Sequence, residues 1–170
     1  VEQVLLYLGL YTTSMGLKLI DSLLRYTQTE RGGGGGMSGM LLPGKVSGVA
    51  SAASEELLYQ LGIRQDSGSP ARLQALCRWL EDSANLALSQ HHGNNHPRTH
   101  ALPQPAPTHV HCVATIIWAC HQMPVEFDLN AILTTELLSC VYKWSSVLSV
   151  GSALKRAVDY VLCALCLVNP

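Results

Sequence analysis

A chain of 170 residues is long enough to close a hydrophobic core without disulfides or a structural metal, so one domain is the expected count. Apolar residues make up 48% and charged residues only 14%, well under the quarter typical of soluble domains, so much of its surface must be covered by something other than water. A formal net charge of -1, with no block of like charge, excludes the footprint of a nucleic-acid or anionic-membrane binder; the partner expected is another protein or the remainder of a parent chain.

Val1, Val4, Leu5, Leu8, Tyr11, Met15, Leu19 and Leu23 recur at three- and four-residue spacing, which predicts a long amphipathic helix over 1–29. Gly9 and Gly16 on one side of it would let another backbone approach, at roughly 1 kcal/mol each against Ala. Glu2 interrupts the start and no basic region precedes the apolar stretch, so no signal peptide is expected. Val1 already inside one apolar pattern, and Asn169 and Pro170 just beyond another, are expected of a segment of a longer polypeptide.

Residues 30–50 read as a Gly-rich linker, because the run Gly32 to Gly36 carries too much backbone entropy to order unaided. Within it, Gly39 to Val46 comes near the phosphate-cradling pattern G-x-x-x-x-G-K-[ST]. Val46 lacks the hydroxyl that would bind magnesium, Pro43 removes an N–H, and no strand leads in, so a linker is the better reading.

Residues 51–88 predict two helices. Ser54 reads as an N-cap, with Glu55 and Glu56 complementing the helix dipole, Leu57, Leu58 and Leu61 facing inward, and Gly62 closing a two-turn element. Ser69 before Pro70 opens the second, which runs through Leu73, Leu76, Cys77, Leu80 and Ala84 toward Leu88 with Trp79 beside that face.

Pro97, Pro103, Pro105 and Pro107 make 89–108 a second long loop. It holds His91, His92, His96 and His100 and runs into His109, His111 and Cys112, the densest group of potential metal ligands; neutral imidazole and thiolate suit zinc. Their spacing matches no finger, ribbon or H-E-x-x-H pattern, so a His-rich solvated loop that binds metal only weakly and opportunistically is expected. A metal-responsive regulatory element that binds zinc through the loop 91–112 is the alternative function.

Residues 109–170 predict three helices: His109 to about Gln122, Leu129 to about Leu148 after an Asp128 cap, and Ala153 to about Val168 after Ser152. Their stripes are Leu129, Ile132, Leu133, Leu137, Cys140, Val141, Trp144 and Leu148, then Ala157, Val158, Val161, Leu162 and Leu165. Short turns at Pro124 and Gly151 predict that consecutive helices pack antiparallel. The fold class expected is all-α: an irregular helical bundle, or a fragment of a HEAT/armadillo-like helical repeat, with two long flexible loops. Helix pairs of this length resemble units of such scaffolds, although no self-similar period is present.

Six cysteines lie within apolar helical patterns and the chain has no N-x-Ser/Thr acceptor, so reduced thiols in an intracellular compartment, cytoplasm or nucleus, are expected. Cys163 and Cys166 form a C-x-x-C pair late in a helix, where core packing is the reading. Cys120 and His121 point in different directions on a helix, no G-x-S-x-G elbow occurs, and His121, Glu126 and Glu136 would matter only if a pocket joined them. No catalytic residue or cofactor is assigned. Trp79, Trp118, Tyr142 and Trp144 are the candidate partner anchors, with Trp79 and Trp144 also placed where core residues would sit. The function expected is a non-catalytic helical scaffold segment that mediates protein–protein assembly within a larger intracellular protein.

Overall fold

Helices carry every buried apolar stripe in the computed structural model, which describes residues 17–24, 46–92 and 104–168. Gly9, Gly16, the Gly-rich stretch through Lys45, His96 and His100 lie outside the described residues. Among the described residues there are six helices and no strand: α1 (17–24), α2 (Val46–Ile63), α3 (Ser69–His92), α4 (Pro107–Gln122), α5 (Thr135–Val147) and α6 (Ala153–Val168). Helix α2 packs on α4, α4 on α6, α6 on α5, α5 on α3 and α3 back on α2, so five helices close into an irregular bundle. Ile20 and Leu24 of α1 join the same core beside α3. Its centre is built from Leu58, Leu61, Leu76, Leu80, Ile116, Ile117, Val141, Trp144, Val158 and Leu165, all fully buried, each apolar side chain contributing about 1.5–3 kcal/mol by leaving water.

Two helix starts differ from the sequence expectation. Helix α2 begins at Val46, so Ser54 is an interior, buried residue and not a cap, and the linker expected over 30–50 gives way to helix at its end. Helix α5 begins at Thr135: Thr134 accepts the Leu137 amide through Oγ1 at 3.2 Å, whereas Asp128 accepts the amide of Asn130 at 2.9 Å and opens a separate turn. In that turn the Leu129 carbonyl accepts from Ile132 and Leu133, which keeps 129–133 out of the helix. Both Asp128 and Thr134 are good capping residues, so apolar spacing alone did not choose between them. The loop expected over 89–108 is also trimmed, because α3 runs to His92 and α4 opens at Pro107. Proline fits a first turn, where its missing N–H would have no partner in any case.

The turn connecting α2 to α3 is held by a buried guanidinium. Arg72, 3% exposed, donates to the Leu61 and Arg64 carbonyls at 2.8 Å each, and its Nη1 lies 2.9 Å from Asp66 Oδ1. These carbonyls are left over by the end of α2, and a cation there also complements the helix dipole. Ser69 opens α3 as expected, but its hydroxyl accepts the Asp66 amide and donates to the Arg64 carbonyl. Burial alone would raise the Asp66 carboxyl; hydrogen bonds from Arg72, the Gly68 amide and Arg64 outweigh it and hold the group below the usual carboxylate range.

Gly62 is inside the last turn of α2 and sits directly on Ile116 of α4. A β-carbon there would lie 2.6–2.9 Å from three side-chain atoms of Ile116, so the close α2–α4 crossing depends on glycine. Helices α4 and α5, consecutive in sequence, barely touch, contrary to the antiparallel pairing expected of them: the irregular connection through Pro124 and Asp128 carries the chain past α6 and onto α3. Helices α5 and α6 do form a hairpin through Gly151, whose φ of 83° favours glycine. Lys155 Nζ joins Ser145 Oγ at 2.8 Å and Asp159 Oδ1 at 3.0 Å across it.

Candidate functional site

Helix α4 starts from an extended Ala106 with no side-chain cap, while α6 starts where Ser152 Oγ accepts the Lys155 amide at 3.1 Å. The first turns of both helices, through Pro107 and Thr108 and through Ala153 and Arg156, line one depression of about 490 Å³. Both N-termini therefore lie at one end, and α4 and α6 run side by side in the same direction. His111 stacks on Tyr160 across the seam, with ring centroids 4.8 Å apart and planes 12° from parallel. Seven residues further along each helix stand Trp118 and Leu167, so the register of that stack carries both onto the same outer face.

Burial decides which residues form that face. Val110, Val113, Ala114 and Ile117 of α4 and Leu154, Val158, Val161 and Leu165 of α6 point into the core. Left outside are Trp118 at 38% exposure, Tyr160 at 37%, Leu167 at 46%, and the thiols of Cys163 and Cys166. The outer faces of α3 and α5 are more polar: Gln74, Arg78, Asp82, Asn85 and Ser89 on α3, and Glu136, Ser139 and Lys143 beside Tyr142 on α5. An apolar and aromatic surface of this kind, beside the more polar outer sides of α3 and α5, has the composition of a docking surface.

The four aromatic candidates separate accordingly. Trp118 lies on the α4/α6 face. Tyr142 is the most exposed of them, at 66%, but stands on the polar side of α5. Trp144 is fully buried, with its indole N–H lacking a hydrogen-bond partner, so it is a core residue and cannot anchor a partner in this fold. Trp79 is partly buried against the core, its indole N–H is likewise unpartnered, and it lines the depression between α1 and α3.

The metal candidates do not converge. His109 is fully buried with neither ring nitrogen hydrogen-bonded, His111 is exposed in its stack with Tyr160, and Cys112 is buried with its thiol 3.4 Å from the Glu55 carbonyl. Desolvation depresses the basicity of His109 against a smaller opposing pull from Glu55. Burial, helped by Glu55 and Glu56, pushes the Cys112 thiol up to about 12, and zinc needs the thiolate. Among the described residues no three His, Cys, Asp or Glu side chains come together as a metal would require.

Cys120 is buried and His121 exposed, so adjacent residues do face apart. Glu126 and Glu136 line different depressions and His121 neither of them, so the three exposed groups are not joined. The core reading of Cys163 and Cys166 is corrected: both are exposed, because α4 and α5 cover only the side of α6 carrying Leu154, Ala157, Val158, Val161, Ala164 and Leu165. The sequence reading also missed Tyr160 and Leu167 as surface groups. Their signal was the excess of apolar residues in α6 over what one stripe can bury.

The described residues thus form an all-α bundle that exposes Trp118, Tyr160 and Leu167 on its α4/α6 side. Residues 79–170, which span most of α3 and all of α4, α5 and α6, match the family model of baculoviral IAP repeat-containing protein 6. Over its full length the chain is 40% identical, across 177 aligned positions, to the human protein named dual E2 ubiquitin-conjugating enzyme/E3 ubiquitin-protein ligase BIRC6. The mouse protein of that name matches at the same identity and coverage. The chain belongs to the BIRC6 family. It spans about 4% of the length of these relatives.

Proposed function

We propose that the chain is a non-catalytic helical scaffold segment that assembles within a larger intracellular protein by docking its α4/α6 face on another part of that protein. The observation that carries this reading is the exposure of Trp118, Tyr160 and Leu167 on one face of the bundle. Support comes from the relatives, in which a segment of this size is 4% of a much longer chain. They are named as a ubiquitin-conjugating enzyme and ligase; the segment serves such an enzyme as framework, contributing packing surface and no reacting group. Unpaired cysteines throughout favour a reducing compartment, and none of the described helices is long and apolar enough to cross a membrane. Protein is accordingly the partner in this reading; the near-zero net charge argues against nucleic acid or an anionic membrane surface.

The test is co-expression of the segment with the remaining polypeptide of its parent, produced as separate chains. Trp118→Asp and Leu167→Asp should abolish co-purification while leaving helical circular dichroism and the melting temperature of the segment near wild type, because both side chains are outside the core. Undiminished co-purification of the double variant would refute the proposal.

A further inference from the structure

The six cysteines fall into two physical groups. Cys77, Cys112 and Cys120 are buried, and burial raises all three thiols, Cys77 to about 12. Cys140 is half-buried, its sulfur 3.4 Å from Asn85 Oδ1 and 3.9 Å from the Glu81 carbonyl, and burial raises it as well. Only Cys163 and Cys166 are exposed, and they stand three residues apart on α6.

That spacing has a definite geometry. Side chains at i and i+3 of a helix lie on one side with β-carbons about 5–6 Å apart. A disulfide needs them at about 3.5–4.5 Å, so direct closure would distort the helix. A single atom placed between the two sulfurs spans that wider β-carbon spacing, as a direct S–S bond does not. No third His, Cys, Asp or Glu converges on the pair among the described residues, which leaves a tetrahedral ion such as zinc two ligands short. Thiolates select soft ions, and monovalent copper is the soft biological cation that accepts as few as two ligands.

We propose that Cys163 and Cys166 form a dithiol site on the outer face of α6 that binds one soft monovalent cation of the copper(I) class. Binding breaks two S–H bonds, forms two Cu–S bonds and releases two protons to solvent, with no change in oxidation state. The pair lies between Tyr160 and Leu167 along α6, with Cys163 nearer to them round the helix than Cys166. The site itself needs nothing from the docked partner.

The measurement is anaerobic titration of the reduced chain with copper(I) against the chromophoric chelator bicinchoninate. The wild-type chain should withdraw about one equivalent from the chelator; Cys163→Ser and Cys166→Ser should each lose that capacity, and Cys140→Ser should keep it, all with unchanged helical circular dichroism. Failure of the wild-type chain to compete, or competition by the Cys163→Ser/Cys166→Ser double variant equal to wild type, would overturn the site. Because the titration uses the segment alone, either result leaves the docking proposal to its own co-purification test.

Discussion

Replacing Gly62 by alanine adds one methyl group at the tightest helix crossing in the bundle. The new β-carbon would stand 2.6, 2.8 and 2.9 Å from Cδ1, Cγ2 and Cγ1 of Ile116, against about 3.5–4.0 Å for comfortable carbon contacts. Ile116 is fully buried, so it cannot retract by about 1 Å without displacing its neighbours. Overpacking of this kind costs about 1–3 kcal/mol. Alanine recovers less than its usual advantage of about 1 kcal/mol over glycine, because Gly62 is in the last turn of α2. The net expectation for Gly62→Ala is a loss of about 1–2 kcal/mol, read as a lower urea midpoint at unchanged slope. Ile116→Ala alone should cost about 2–5 kcal/mol through its cavity. In the double variant the new methyl occupies part of that cavity, so the combined loss should fall short of the sum by about 1 kcal/mol or more. A neutral or stabilising Gly62→Ala, or additive losses within about 0.5 kcal/mol, would refute the close crossing of α2 and α4.

Arg72→Ala should destabilise the bundle by about 1–3 kcal/mol in urea unfolding, since it removes the guanidinium donor from the Leu61 and Arg64 carbonyls and from Asp66, which keeps Arg64 and the Gly68 amide; Arg72→Lys, a point charge that cannot reach all three, should fall between Ala and wild type. Because the basicity of His109 is depressed in the fold, the unfolded chain takes up a proton first as pH falls through about 6.5, so stability should drop below that pH at up to about 1.4 kcal/mol per unit. His109→Leu should flatten this slope and unfold no more easily at pH 7, because neither ring nitrogen has a partner to lose; a slope unchanged between pH 7 and 5 would count against the buried neutral imidazole. Asp66 acts in a separate window: its carboxyl is held below the ordinary value of 3.8, so its contribution is complete above that pH and is lost as pH falls through the lower folded value. Asp66→Asn should therefore weaken the protein at pH 7 and reduce its further loss in acid, measured as melting temperature across pH 2–7.

Periodicity carried much of the fold, because a helix in a bundle must show its buried stripe in sequence: Leu73, Leu76, Cys77, Leu80 and Ala84 of α3 and Ala157, Val158, Val161 and Leu165 of α6 are all in the core. It did less well where several physical signals were equivalent. Asp128 and Thr134 can both cap, and a local turn through Leu129 decided between them. Ser54 resembles a helix start because Val46, Ser47, Gly48, Val49 and Ser51 before it have weak helix preference, yet that stretch is helical. Arg72 gave no warning, since a cation inside an apolar stripe becomes intelligible only once the carbonyls ending α2 are seen above it. The docking face was hardest to read. In α6 the run from Val161 to Val168 is almost wholly apolar, so periodicity could not tell Cys163, Cys166 and Leu167, which face outward, from Val161, Ala164 and Leu165, which do not. That division is made by where α4 and α5 lie, which is tertiary information.

The exposed thiols of α6 are a built-in reporter for the docking of this face. Maleimide labelling of Cys163 and Cys166 should be fast in the isolated segment and much slower when the segment is part of its whole parent protein, with peptide mass spectrometry assigning the sites. Protection of both thiols in the parent is the result that docking requires. Equal labelling rates in the segment and the parent would show the α4/α6 face open to solvent in the larger protein and would contradict the scaffold reading.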